Sequence, residues 1–114
     1  LDTLSNFDHL PDDTLVLPAH GLPFYNLHPR LAYLRQHHDQ RLAILEDYCA
    51  QPTKVLSTLR VMFSRRLNDF EALLGMSEAM SHLHYLMAQG RIIREVNDDG
   101  VWLYQASSRR ADAA

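Results

Sequence analysis

GRIIREVNDDGVWLY, residues 90–104, is where the chain changes its period. Up to Gly90 apolar residues recur every three or four positions, as on helices. Beyond it, Arg91-Ile92-Ile93-Arg94-Glu95-Val96 and Val101-Trp102-Leu103-Tyr104 are rich in β-branched and aromatic residues, which favour strands. Asn97-Asp98-Asp99-Gly100 lies between them and is strong turn chemistry. The stretch predicts a β-hairpin that closes a helical region.

Upstream, Ser77 is a candidate cap for a helix over 77–89, with Met76, Met80, Leu83 and Leu86 or Met87 on its apolar face. Gly90 is the natural C-terminal stop. Gly75 is expected to break this helix from a short one carrying Leu67, Phe70 and Leu74. Thr53 is a candidate cap for a helix with Val55, Leu56, Leu59 and Met62 or Phe63. The clearest helix covers 27–50, with Asn26 as cap, Pro29 in the tolerated first turn and Gln51-Pro52 as its end. Its stripe is Leu31, Leu34, His38, Leu42, Leu45 and Cys49. Helices followed by a hairpin make the winged-helix pattern over 26–106, with the hairpin as the wing.

Residues 1–25 have another character. Leu1, Leu4, Phe7 and Leu10 stand three apart and suit a short helix. Pro11-Asp12-Asp13 is a turn cluster, and Thr14-Leu15-Val16-Leu17 has the length of a buried strand stopped by Pro18. Four strand residues cannot form a sheet alone, so this strand expects partners from elsewhere. The predicted fold class is mainly α with a small β-hairpin: a winged-helix-like three-helix domain over 26–106, preceded by a helix–strand piece over 1–25. Residues 107–114 are expected to be a flexible polar tail. The start at Leu1, inside an amphipathic stretch, is read as the start of a piece of a longer protein.

The 114 residues suffice for a domain of ordinary size, and a 46% hydrophobic, 22% charged composition is normally globular. One cysteine, Cys49, excludes an internal disulfide and a Cys-rich metal site, and a reducing, cytoplasmic location is expected. No apolar run approaches the ~20 residues of a membrane span, so no membrane partner is expected. A net charge of −3 argues against nucleic-acid binding, where basic surface supplies most of the attraction.

Seven histidines invite a metal hypothesis. His82-Leu83-His84 has H-x-H spacing, but on a helix positions two apart point about 200° apart and cannot share an ion. His37-His38 has the same defect. With His28 they are expected to be structural or solvated, His38 as a core histidine on the apolar stripe. Cys49 is expected to be a packed thiol. Ser57, Ser64, Ser77 and Ser81 lie in no nucleophile elbow. His20 differs. It follows the expected strand, between Ala19 and Gly21, at the strand end where ligands of α/β layers collect. If helix 77–89 read DNA it would be expected to offer Arg or Lys, and SEAMSHLHYLMAQ contains Glu78 and no Lys or Arg. Arg65, Arg66, Arg91 and Arg94 could supply phosphate contacts.

Three segments carry a resemblance. Leu15-Val16-Leu17-Pro18-Ala19-His20-Gly21-Leu22-Pro23 resembles the last strand and ligand loop of metallo-β-lactamase-fold hydrolases, usually V-L-P-G-H-G-x-P. His37-His38-Asp39-Gln40-Arg41-Leu42 is similar to the H-H-x-x-R-[LI] of the following helix in one branch. Ser77 to Leu86 with Gly90-Arg91-Ile92 is similar to that branch's E-x-x-x-H-L-x-x-L…G-x-[VI] segment. The branch includes glyoxalase-II-like hydrolases and lactamase-like endoribonucleases with a C-terminal winged helix. The resemblance implies that residues 1–25 are a remnant of the αββα catalytic domain. It implies that His20 is the final ligand of a two-zinc site whose other ligands lie upstream. Ala19 replaces the usual glycine and restricts the loop backbone. The implied function is that of the C-terminal accessory domain of a zinc-dependent hydrolase, catalytically incomplete by itself and holding no zinc alone. Its implied partners are the missing N-terminal catalytic domain and a homodimer. Two alternatives stay open: a winged-helix nucleic-acid-binding module, and a structural module that dimerises through the 27–50 stripe.

Overall fold

The computed structural model describes residues 1–107, so the expected tail lies, from residue 108 on, outside the described residues. In chain order it holds a 3₁₀ turn Asp2–Phe7, helices α1 Leu27–Tyr48, α2 Val55–Met62 and α3 Asp69–Ala88, and strands β1 Ile92–Val96 and β2 Trp102–Ala106. The chain divides into two compact units, Leu1–Gln40 and Arg41 onward, with the boundary inside α1.

In the first unit the strict three-residue spacing has formed a 3₁₀ turn, the helix whose own period is three. The buried strand expected at Thr14–Leu17 does not form. Val16 and Phe24 make one antiparallel bridge, exchanging hydrogen bonds of 2.8 and 3.0 Å. Pro18, with no N–H to donate, blocks its extension towards the loop, and no third strand pairs with it among the described residues. Leu15 and Leu17 are therefore exposed rather than buried. Asn26, directly before α1, has φ 69, and its carbonyl accepts the Arg30 N–H at 3.3 Å. Asparagine is one of the few residues that tolerate this left-handed backbone.

The second unit has one core. Leu42 and Leu45 of α1, with Cys49 just after it, meet Leu59 and Met62 of α2, Ala79, Leu83 and Leu86 of α3, Ile92 of β1 and Tyr104 of β2. Each fully buried leucine contributes roughly 1.5–3 kcal/mol by leaving water. Two ion pairs brace it. Arg91 Nε donates to Glu46 Oε2 at 2.7 Å, and Arg41 pairs with Glu78.

Thr53 does not cap α2. The cap position is Lys54, in extended conformation and without a side-chain bond. The Thr53 backbone instead pairs with Tyr104, both bonds 2.9 Å, and its hydroxyl donates to the Gln51 carbonyl at 2.7 Å. Leu56, expected on the apolar face, is exposed, and Thr58 takes the buried place.

The two helices expected around Gly75 are one continuous α3. Asn68 caps it through a reciprocal box: its Oδ1 accepts the Glu71 N–H at 2.8 Å, and its own N–H donates to Glu71 Oε2 at 3.0 Å. Ser77 is interior, its hydroxyl donating to the Leu73 carbonyl. The buried face is Gly75, Ala79, His82, Leu83 and Leu86, with Met76, Met80 and Met87 half-buried beside it. Phe70 and Leu74 are exposed. Gly90 (φ 71) ends the helix as expected. Its N–H reaches Met87 O and the Arg91 N–H reaches Leu86 O, both at 2.9 Å, the Schellman pattern.

The hairpin forms with Ile92 opposite Ala106, Arg94 opposite Tyr104 and Val96 opposite Trp102. Asn97 Oδ1 accepts the N–H groups of Asp99 and Val101 at 3.0 Å each, fixing the turn. β2 runs two residues beyond its expected end. Ser107, assigned to the flexible tail, is tied down: its N–H donates to Arg91 O and its hydroxyl to Gly90 O.

Candidate functional site

The Val16–Phe24 bridge holds residues 17–23 as a loop with His20 on it. Gly21 follows with φ 96, a backbone conformation that favours glycine. His20 is exposed and lines a hollow of about 960 Å³ within the first unit, together with Leu4, Leu15, Leu22, Phe24 and Leu31. The surface around it is apolar and exposed. Leu17 is 73% exposed and Leu22 85%. Leucines cover a protein surface singly without consequence, but a cluster beside a polar loop marks a face suited to contact.

Among the described residues no three His, Cys, Asp or Glu side chains come together in a way that could hold a metal ion. A structural or catalytic zinc takes three or four protein ligands. The residues present therefore do not make a metal centre, and His20 is at most one ligand of one.

Four of the other histidines are set in local contacts or half-buried, while His9 and His84 are exposed. His28 Nε2 donates to the Leu10 carbonyl at 2.7 Å and lies 3.6 Å from Asp12, tying α1 to the turn before it. His37 stacks on Tyr33 with centroids 6.0 Å apart and meets His38 edge-on. His38 is half-buried. His82 is buried, its Nδ1 donating to the Glu78 carbonyl at 2.8 Å. Burial, and then the nearby Arg41 guanidinium, hold its pKa below the ordinary value.

Cys49 is fully buried, and burial pushes its thiol up to about 11 against the lowering effect of a Thr53 hydrogen bond. Such a thiol carries little thiolate at neutral pH and is no nucleophile. Ser81, like Ser77, spends its hydroxyl on its own helix, at 2.9 Å from the Ser77 carbonyl.

Three of the four arginines considered for phosphate contacts are engaged. Arg65 grips Glu71 through two bonds of 2.9 Å, Arg91 holds Glu46, and Arg94 lies 3.9 Å from the Trp102 ring centroid. Arg66 is exposed, beside a second hollow lined also by Arg60, which the sequence reading passed over. The signal for it was an acid-free run from Tyr48 to Leu67 holding Lys54, Arg60, Arg65 and Arg66.

Residues 42–107 match the family described as metallo-beta-lactamase-like, C-terminal domain. The chain belongs to that family. A crystal structure of a beta-lactamase domain protein from Burkholderia ambifaria is 38% identical, with a TM-score of 0.88 over 93% of this chain and 32% of that one. A metallo-beta-lactamase family protein from Thermus thermophilus, at 22% identity and a TM-score of 0.75 over the same shares of 93% and 32%, has the same fold. No curated protein matches. The chain thus spans about a third of the length of these two relatives. The family name implies metal use by its whole proteins, while the described part of this member has no metal site of its own. Among the described residues no helix is long and apolar enough to cross a membrane.

Proposed function

We propose that this family member is the C-terminal accessory region of a zinc-dependent metallo-β-lactamase-superfamily hydrolase. Residues 26–106 act as its winged-helix domain. Residues 1–25 belong against the catalytic layer supplied by the rest of that protein, with His20 contributing one zinc ligand. The observation that carries this is the apolar surface of Leu15, Leu17 and Leu22 set around an exposed histidine loop. An isolated module has no use for such a surface, and a sheet partner would cover it. The winged-helix part rests on element order: three helices, a single-residue bridge at Thr53 to β2, and a hairpin. Hydrolysis itself, and the choice among thioesters, phosphodiesters and lactones, belongs to the whole protein.

Calorimetric zinc titration of the 114-residue chain tests this, paired with hydrolysis assays on those substrate classes. Zinc is expected to bind no tighter than micromolar, with no turnover. In the longer protein, His20→Ala is expected to remove metal and activity together. Nanomolar zinc binding by this chain, or turnover that survives His20→Ala, overturns the proposal.

A further inference from the structure

The second hollow lies wholly in the second unit, at the corner of α2 and the segment leading to α3. Its volume is about 350 Å³, at the small end of ligand sites. Leu59, Phe63, Leu67 and Ala72 line its apolar side, and Arg60, Arg65 and Arg66 its charged side. Among the described residues no Asp or Glu lines it. Arg65 is already neutralised, since both its bonds to Glu71 are charge-assisted and the Glu71 carboxyl is held below its usual range by them. Arg60 and Arg66 have no partner among the described residues. Two free guanidiniums thus stand over an apolar floor, in a chain whose net charge is −3.

We propose that this corner binds a phosphomonoester: a dianionic head joined to a small apolar or planar body. A phosphomonoester carries about −1.5 to −2 at pH 7, which matches two free guanidiniums. A carboxylate, or one phosphodiester of a nucleic acid, carries half of that. Guanidinium forks bind phosphate oxygens bidentately, which a lone ammonium cannot do. The Phe63 ring, with the Arg41 guanidinium 5.5 Å from its centroid, gives the body an edge to pack on. The site is independent of the His20 loop and of any metal.

Phenyl phosphate is the probe, titrated into the full chain and followed by NMR shifts of α2 and loop amides, beside inorganic phosphate, benzoate and a single-stranded oligonucleotide. Phenyl phosphate is expected to bind most tightly. Arg60→Gln and Arg66→Gln are each expected to weaken it roughly tenfold, and Arg30→Gln, the same charge change elsewhere, to leave it unchanged. Glu71→Gln keeps a capping residue on α3 but frees Arg65, and is expected to tighten binding. Melting temperatures of the variants separate lost binding from lost folding. The proposal falls if no saturable shift is seen, if Arg30→Gln weakens binding equally, or if Glu71→Gln has no effect. It falls also if the oligonucleotide binds tighter than phenyl phosphate, which would favour a nucleic-acid surface.

Discussion

Gly75 lies inside α3 on its buried face, and alanine there is expected to destabilise the protein although alanine is the better helix former. In an exposed helix the exchange gains about 1 kcal/mol. Here the new methyl would lie 3.0 Å from Phe63 Cε2, 3.3 Å from Leu59 Cδ2 and 3.4 Å from Leu67 Cδ1. Carbon pairs prefer about 3.5–4.0 Å, so the Phe63 and Leu59 contacts are compressed, the ring most, while the Leu67 contact is close to ordinary. Leu59 is buried and cannot swing away without opening a void, and the half-buried Phe63 can give only by shifting towards the hollow it lines. Overpacking of this kind costs about 1–3 kcal/mol. The two effects sum to a net loss of about 1 kcal/mol, which lowers Tm by roughly 4–8 °C in a domain of this size. Urea denaturation followed by helical circular dichroism measures it. Ser77→Ala, at an exposed position of the same helix, is the control and should be neutral or slightly stabilising. In a Phe63→Leu background the penalty at residue 75 should shrink, because the ring edge is gone. A Gly75→Ala protein more stable than the parent by the full helix-propensity gain would show that α2 and α3 do not approach through this glycine.

The Glu46–Arg91 pair should break asymmetrically. Arg91→Met takes the guanidinium away from a carboxylate that is 6% exposed and should cost about 3 kcal/mol, whereas Glu46→Gln lets the 39% exposed Arg91 turn to water and should cost about 1 kcal/mol; equal costs in denaturant titrations would contradict this. The folded state lowers the His82 pKa, so neutral His82 is favoured on folding. Its contribution is present above the unfolded value of about 6.5 and is lost as pH falls from there towards the folded pKa; His82→Gln should flatten that part of the stability profile, and an unchanged acid slope would refute the assignment. Tyr104→Phe removes a buried hydroxyl with no hydrogen-bond partner among the described residues and should be neutral or stabilising by up to about 1 kcal/mol; a clear loss of stability would mean the hydroxyl has a bonding partner after all. Cys49 should resist a disulfide reagent at pH 8 until the protein unfolds, and prompt labelling of the native state would refute its burial.

The hairpin, the stripe of α1 and the stop at Gly90 were legible because each rests on neighbours within a few residues. The misreadings lie where a residue serves a distant one. Gly75 looks like a helix breaker locally; its use is the close approach of Phe63, Leu59 and Leu67. Thr53 looks like a cap, but its backbone belongs to Tyr104, half the chain away. Asn68-Asp69-Phe70-Glu71 did carry a local signature, the capping box, and it displaced Ser77 as the start of α3. The same distinction separates the two candidate sites. Arg60 and Arg66 stand together because α2 and its following segment fold locally, and an acid-free run of sequence announces them. His20 is announced only by the loop around it, and geometry within the described residues adds no second ligand. A metal ion bound by one imidazole gains too little to be held, so the ligand role proposed for His20 requires groups from outside the described residues. Leu15, Leu17 and Leu22 are exposed in the same segment. These side chains cannot be satisfied by a single bridge between Val16 and Phe24, and burying them needs a layer with its own sheet and its own hydrogen-bonding edge.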